Sequence, residues 1–198
     1  IIVRGASADA RLAIGSAGQA LKVNSSANGL EYGSAGGVIQ TRAKVITAAT
    51  SINTNTTYVT PSGFTHTITP TSASNHIIVT FNVCFSNKTN HGGMRIIRTV
   101  GGTDHTISNS LGDASGSRTR NTSGNTYENL DNHAQKVHTF IVIDSDHNTT
   151  NQITYSIQHN IYNGTYAVNF NRSYNDDNSS YSHRGISVIT LQEVLPTS

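Results

Sequence analysis

The stretch His76-Ile-Ile-Val-Thr-Phe-Asn-Val-Cys-Phe85 constrains this chain more than any other, because Ile77, Val79, Phe81, Val83 and Phe85 recur at every second position. Successive side chains of an extended backbone point to opposite faces, so these residues share one face and Cys84 takes the other. So many large apolar side chains cannot all stay in water, and β-branched Ile and Val suit a pleated, packed surface. The stretch therefore predicts a central strand whose inward face builds a core. Ile153, Tyr155 and Ile157 repeat the pattern against Thr154, Ser156 and Gln158.

Further strands are expected over Val38 to Thr47, Thr56 to Thr60, Thr65 to Thr69, Met94 to Val100, Lys136 to Asp144, Gln152 to Asn160, Thr165 to Asn171 and Gly185 to Val194. Between them stand Pro61-Ser-Gly63, Pro70, His91-Gly-Gly93, Gly101-Gly102 and Asn163-Gly164, the last a hairpin signal. Asn, Ser and Thr make up roughly a third of the chain, while charged residues are only 12 % of its 198, about half the usual share. Strand-forming Thr and turn-forming Asn replace charged helix formers, and the Ile, Val, Tyr and Phe content is enough for a core. No amphipathic helix is legible. The expected fold is an all-β antiparallel sandwich, jelly-roll-like, over 38–198, preceded by an extended N-terminal arm over 1–37.

The arm closes on Gly33-Ser-Ala-Gly-Gly37, a hinge by composition. It is too short to bury Ile1, Ile2, Leu12, Ile14, Leu21 and Val23 by itself, so it needs neighbours. Copies of the chain wound about one axis would hide them.

A net charge of +2, from scattered Lys and Arg, argues against a nucleic-acid partner. No apolar run reaches the roughly 18 residues of a membrane-spanning helix, so no membrane insertion is expected. Cys84 has no intrachain partner and reads as a small buried hydrophobe. The chain opens on Ile1 with no Met, as a processed or truncated polypeptide would, and any targeting segment is unreadable.

Catalytic and cofactor motifs are missing: there is no Gly-x-Ser-x-Gly elbow, phosphate-binding glycine loop or dinucleotide fingerprint. The expectation is a protein that is not an enzyme and carries no cofactor. The nine His form no His-x-His or His-Glu-x-x-His pair, so surface or hydrogen-bonded His is preferred to a metal site. Asp144-Ser-Asp-His-Asn148 begins like a calcium loop but lacks its Gly and distant Glu, and reads as a turn capped by Asx side chains. Adjacent Asp176 and Asp177 should point apart into a solvated loop, unlike a glycosidase pair facing across a cleft.

Two loops stand out. The insert Ser108 to Gln135 carries Arg118, Arg120, Tyr127 and His133, and the loop before the last strand carries Tyr174, Asp176, Asp177, Tyr181 and His183. Long loops of weak periodicity are where binding residues concentrate. A Tyr ring offers an apolar face to a pyranose while amides and carboxylates bond its hydroxyls, so these are the candidate receptor-binding residues.

Two runs carry a family likeness. Arg11-Leu-Ala-Ile-Gly-Ser-Ala-Gly-Gln-Ala-Leu-Lys-Val-Asn, followed by Gly29-Leu-Glu-Tyr-Gly33, resembles a module of bacteriophage tail-fibre proteins, with Tyr32 where a Trp is more usual. Val168-Asn-Phe-Asn-Arg-Ser173 and then Arg184-Gly-Ile-Ser-Val-Ile-Thr-Leu-Gln-Glu-Val194 resemble the C-terminal domain of tail-fibre-like proteins from marine phages. The resemblance implies a homotrimeric appendage on the exterior of a virion, a fibre or spike whose arm docks to other virion components and whose distal domain meets a host surface glycan or protein. A capsid decoration or collar fibre without a receptor role is the second expectation, and a glycan-depolymerising tailspike the third.

Overall fold

The computed structural model describes residues 2–4, 9–11, 14–16, 19–24, 26–34, 37–53, 57–88, 92–125, 132–162 and 167–196. It divides into two compact units, Ile1–Gly37 and Val38–Ser198. Every element among the described residues is a strand.

The first unit holds two antiparallel ladders, β1 (Ile2–Arg4) with β2 (Asp9–Arg11) and β3 (Gln19–Val23) with β4 (Leu30–Ser34). Gly15 is required locally: a Cβ there would lie 2.5 Å from Cδ1 of Tyr32. Two-stranded ladders are marginal alone, and Ile14 and Val23 stand 98 % and 60 % exposed. Ile1 and Leu12 lie outside the described residues, as does the side chain of Ile2.

The second unit contains β5 (Val38–Ile46), β6 (Thr50–Ile52), β7 (Thr65–Ile68), β8 (His76–Asn87), β9 (Gly92–Val100), β10 (Thr103–Thr106), β11 (Ser123–Asn125), β12 (Lys136–Asp144), β13 (Ile153–Ile161), β14 (Val168–Phe170) and β15 (Ser187–Val194). One sheet runs β12-β8-β15-β5, with β14 and β6 extending it beyond Phe85; the other runs β10-β9-β13-β7, with β11 on the far half of β9. All pairings are antiparallel. Taken along the chain the strands nest: β9 and β10 form a hairpin, β8 and β12 pair outside it, and then come β7 with β13 and β5 with β15. That nesting wraps one long hairpin into two sheets and is the jelly-roll connectivity.

The expected inward row of β8 is the centre of the core: Ile77, Val79, Phe81, Val83 and Phe85 are all at 0 % exposure, joined by Phe64, Tyr155, Ile157, Phe170, Ile189 and Leu191. Cys84 takes the opposite face and is nonetheless buried, because Gly185 lies over it. A Cβ on Gly185 would sit 2.5 Å from the Cys84 sulfur.

The structure departs from sequence expectation at several strands. Of the expected strand Thr56 to Thr60, Thr56 lies outside the described residues and 57–60 supply only the bridge of Val59 to His159, since Pro61 follows and cannot donate to a ladder. Of the expected strand Thr165 to Asn171 the described part forms Val168–Phe170, and 163–166, with the Asn163-Gly164 turn, fall outside the described residues. β6, β10 and β11 are too short and polar to carry a periodicity.

Buried charge ties loops and sheets together. Glu193 on β15 is fully buried and accepts from Gln40 Nε2 (2.6 Å), Asn75 Nδ2 (2.6 Å), Thr71 N (2.7 Å) and Thr71 Oγ1 (2.8 Å). Burial alone would raise its pKa, but these hydrogen bonds to the carboxylate outweigh it and hold the pKa below the ordinary value. In the turn after β12, Asp146 N donates to Asp144 Oδ1 at 3.3 Å, the expected Asx bond.

Candidate functional site

The site is built on the loop between β14 and β15, and Asn171-Arg172-Ser173 sets its shape. Asn171 adopts a left-handed φ of 59°. Its Nδ2 donates to the Ile46 and Ala48 carbonyls at 2.9 and 3.0 Å, and its Oδ1 accepts from Ser187 Oγ at 2.6 Å. Ser187 Oγ in turn accepts from Cys84 N at 2.9 Å, so a buried chain of bonds pins both ends of the loop to β5 and β8. Asn tolerates that backbone conformation better than most residues, and here its amide is fully used.

Arg172 and Ser173 organise what lies beyond. Arg172 pairs with Asp176 at 3.0 Å, Arg184 pairs with the same carboxylate at 2.5 Å, and Arg172 also donates to Ser51 Oγ and Asn169 Oδ1. Ser173 Oγ donates to the His133 carbonyl at 2.8 Å and accepts from His183 N at 2.8 Å. Gln135 Nε2 donates to the His183 carbonyl at 2.8 Å. The end of the long insert is thereby docked against the loop, bringing His133 beside Tyr181 and Asp177.

The His133 and Tyr181 rings lie 6.1 Å apart, and His133 Nε2 is 3.8 Å from Asp177 Oδ2. Ser182 Oγ donates to Asp177 Oδ1, and this bond, aided by His133, lowers the pKa of the exposed Asp177 below the ordinary carboxylate value. Residues 176–179 and 182–184 line an open depression of about 320 Å³, and His133, Ala134, Tyr181 and His183 line another of about 290 Å³. Both are at the small end of ligand clefts. The adjacent carboxylates turn to different partners, Asp176 to two arginines and Asp177 to Ser182 and His133. Ser182 contacts the carboxylate and not the imidazole, which is not the order of a Ser-His-Asp relay.

Of the residues named from sequence, His133, Asp176, Asp177, Tyr181 and His183 converge here. Tyr174 is half-buried, with Lys88 Nζ 5.9 Å from its ring centre. Arg118 and Arg120 fold back on their own loop, Arg118 to Ser115 Oγ at 2.8 Å and Arg120 to the Gly112 carbonyl at 2.6 Å. Tyr127 lies outside the described residues. Arg172, Ser173, Ser182 and Arg184 were not singled out as site residues from sequence. The one local signal was the spacing of Arg172 and Asp176, four apart. Among the described residues no three His, Cys, Asp or Glu side chains converge as metal ligands.

No protein-family model matches this chain, and no curated protein matches it. Among solved structures it is similar to a chain in the structure of infectious bursal disease virus Gx strain, at 12 % identity and a TM-score of 0.36. The match covers 85 % of this chain and 41 % of that one, so this chain spans less than half of that chain's length.

Proposed function

We propose that this chain is a non-enzymatic virion fibre or spike protein whose sandwich attaches the particle to a host-cell surface receptor, glycan or protein. The observation that carries the reading is the convergence of His133, Tyr181, Asp176, Asp177 and His183 on one loop-built surface. These residues come from two segments separated by β12, β13 and β14, which lie in two different sheets, yet they share a face. An exposed Tyr ring beside carboxyl groups suits a sugar ring and its hydroxyls. The tail-fibre likeness of Arg11 to Gly33 and Val168 to Val194 points the same way. The arm's uncovered Ile14 and Val23 support a homotrimer, with the arm also docking to other virion components. Weak sites repeated three times per fibre and again per particle add up by effective concentration.

The test is adsorption of assembled particles carrying Tyr181→Ala together with Asp177→Ala. Both side chains are exposed, so thermal midpoint and oligomeric mass should stay at the unmodified values while adsorption falls at least tenfold. Adsorption at the unmodified level removes the receptor role from this surface.

A further inference from the structure

The two outer faces of the sandwich differ in kind. On the β10-β9-β13-β7 sheet the outward positions include Arg95, Thr99, Asp104, Thr154 and Gln158, with Arg95 Nε donating to Gln158 Oε1 at 3.0 Å. The outward Ile97 and Ser156 between them are buried, so the exposed part of this side is polar. On the β12-β8-β15-β5 sheet the outward register rows run Thr139–Asn82–Val188–Val45, Ile141–Thr80–Thr190–Ala43 and Ile143–Ile78–Gln192–Thr41. None of these positions is charged, and none is aromatic. Val137, Ile141 and Ile143 on β12 are 57 %, 66 % and 52 % exposed, and Val38 and Val45 on β5 are 51 % and 58 % exposed.

We infer that this face is where copies of the chain meet. The inference rests on the homo-oligomeric reading above and moves the main contact from the arm to the sandwich. The area is sufficient: four strands about 4.8 Å apart and about 30 Å long give roughly 570 Å² per copy. Two such faces together remove about 1,100 Å² from water, past the roughly 1,000 Å² that a specific interface needs. The chemistry selects a like partner. An uncharged face turned towards a shared symmetry axis meets its own kind with no like-charge repulsion, and closed symmetric assemblies of like chains are built around such an axis. Interfaces between like chains are the more apolar and charge-depleted ones, and a lipid surface is gripped by a basic rim that these rows do not contain. Stiff Val, Ile and Thr side chains also lose little rotamer freedom on being covered.

The experiment is light scattering on the full chain bearing Ile141→Asp with Val45→Asp. A second variant, Ile141→Thr with Ile143→Thr, keeps β-branched shape and so keeps the strand. Thr154→Asp with Gln158→Glu on the polar sheet serves as the control. The unmodified chain and the control should run as a multiple of 21.1 kDa. The aspartate variant should fall to the single-chain mass, and the threonine variant should dissociate at a protein concentration at least tenfold higher than the unmodified chain. Both should keep the unmodified circular dichroism spectrum. A single-chain mass for the unmodified protein overturns the inference and the homotrimer together. Oligomers that persist in both variants overturn the inference alone and leave the arm as the organiser.

Discussion

Arg98 on β9 donates to Asp144 at the end of β12 across 2.6 Å, joining the two sheets inside the sandwich with Asp144 at 0 % exposure. Tyr155 Oη donates to the other oxygen of Asp144 at 2.6 Å, and Arg98 reaches Asp146 at 2.9 Å. Burial and the neighbouring Asp144 charge keep the Tyr155 phenol protonated far above its usual range. Removing one member of a buried pair leaves an uncompensated charge, so Asp144→Ala should cost about 3–5 kcal/mol in urea unfolding. Asp144→Ala together with Arg98→Met should recover most of that loss. A single variant of unchanged stability would show that water reaches the pair.

The core prediction concerns Phe81, at 0 % exposure in the middle of β8. Phe81→Ala removes a fully buried ring and should cost about 3–5 kcal/mol, seen as a fall in thermal midpoint, although self-association can mask part of it by mass action. Thr80→Ala, one position along on the outer face, should cost far less by the same measurement.

His159 gives the protein a pH response. Its ring is buried at 1 % exposure, edge-on to Phe170, with neither ring nitrogen hydrogen-bonded, and burial lowers its pKa to about 4. The unfolded chain binds this proton near pH 6.5 and the folded chain only near 4. The stabilisation is therefore complete above pH 6.5 and is lost as pH falls from there towards 4, by about 3 kcal/mol in all. Urea midpoints measured across that window should slope downward with acid, and His159→Leu should flatten the slope. Burial, Lys44 and Arg42 also lower the His66 pKa, which leaves a smaller residual slope in the variant.

Asp146 acts at lower pH. Burial alone would raise its pKa, but hydrogen bonds donated by Ser108 and Arg98, with the Arg98 charge, bring it down to about 2. Its contribution is present above the ordinary carboxylate value and disappears as pH falls through about 2, so acid unfolding should steepen below pH 4. Asp146→Asn should lower stability above pH 4 and remove that steepening below it, while leaving the slope between 6.5 and 4 in place.

Cys84 should resist thiol reagents in the folded protein, since burial beneath Gly185 raises its pKa. A colorimetric thiol assay should read nearly zero in buffer and one thiol per chain in denaturant. Rapid labelling in buffer would mean that the 173–186 loop opens.

Strand alternation was legible from the residues because it is local: the inward row of β8 and the Ile153, Tyr155, Ile157 row of β13 need no knowledge of what they pack against. The same holds for the loops, where Tyr181, Asp176 and Asp177 stand out in a polar, aperiodic stretch. The outer face of β12 is another matter. Val137, Ile141 and Ile143 on one side and Phe140 and Val142 on the other are equally apolar, so periodicity could not say which row meets the core. Nesting β12 against β8 in the register Phe140 to Phe81 buries Phe140 and Val142 and leaves the other row outside. Burial of Arg98, Asp144 and Glu193 was equally hidden, because a charged residue reads as surface until its distant partner is in place. The meeting of His133 with Tyr181 and Asp177 depends on Ser173 and Gln135 docking two loops far apart in the chain. Side-chain periodicity is a property of neighbouring residues, whereas the faces that are covered and the loops that touch are set by how distant segments close on one another.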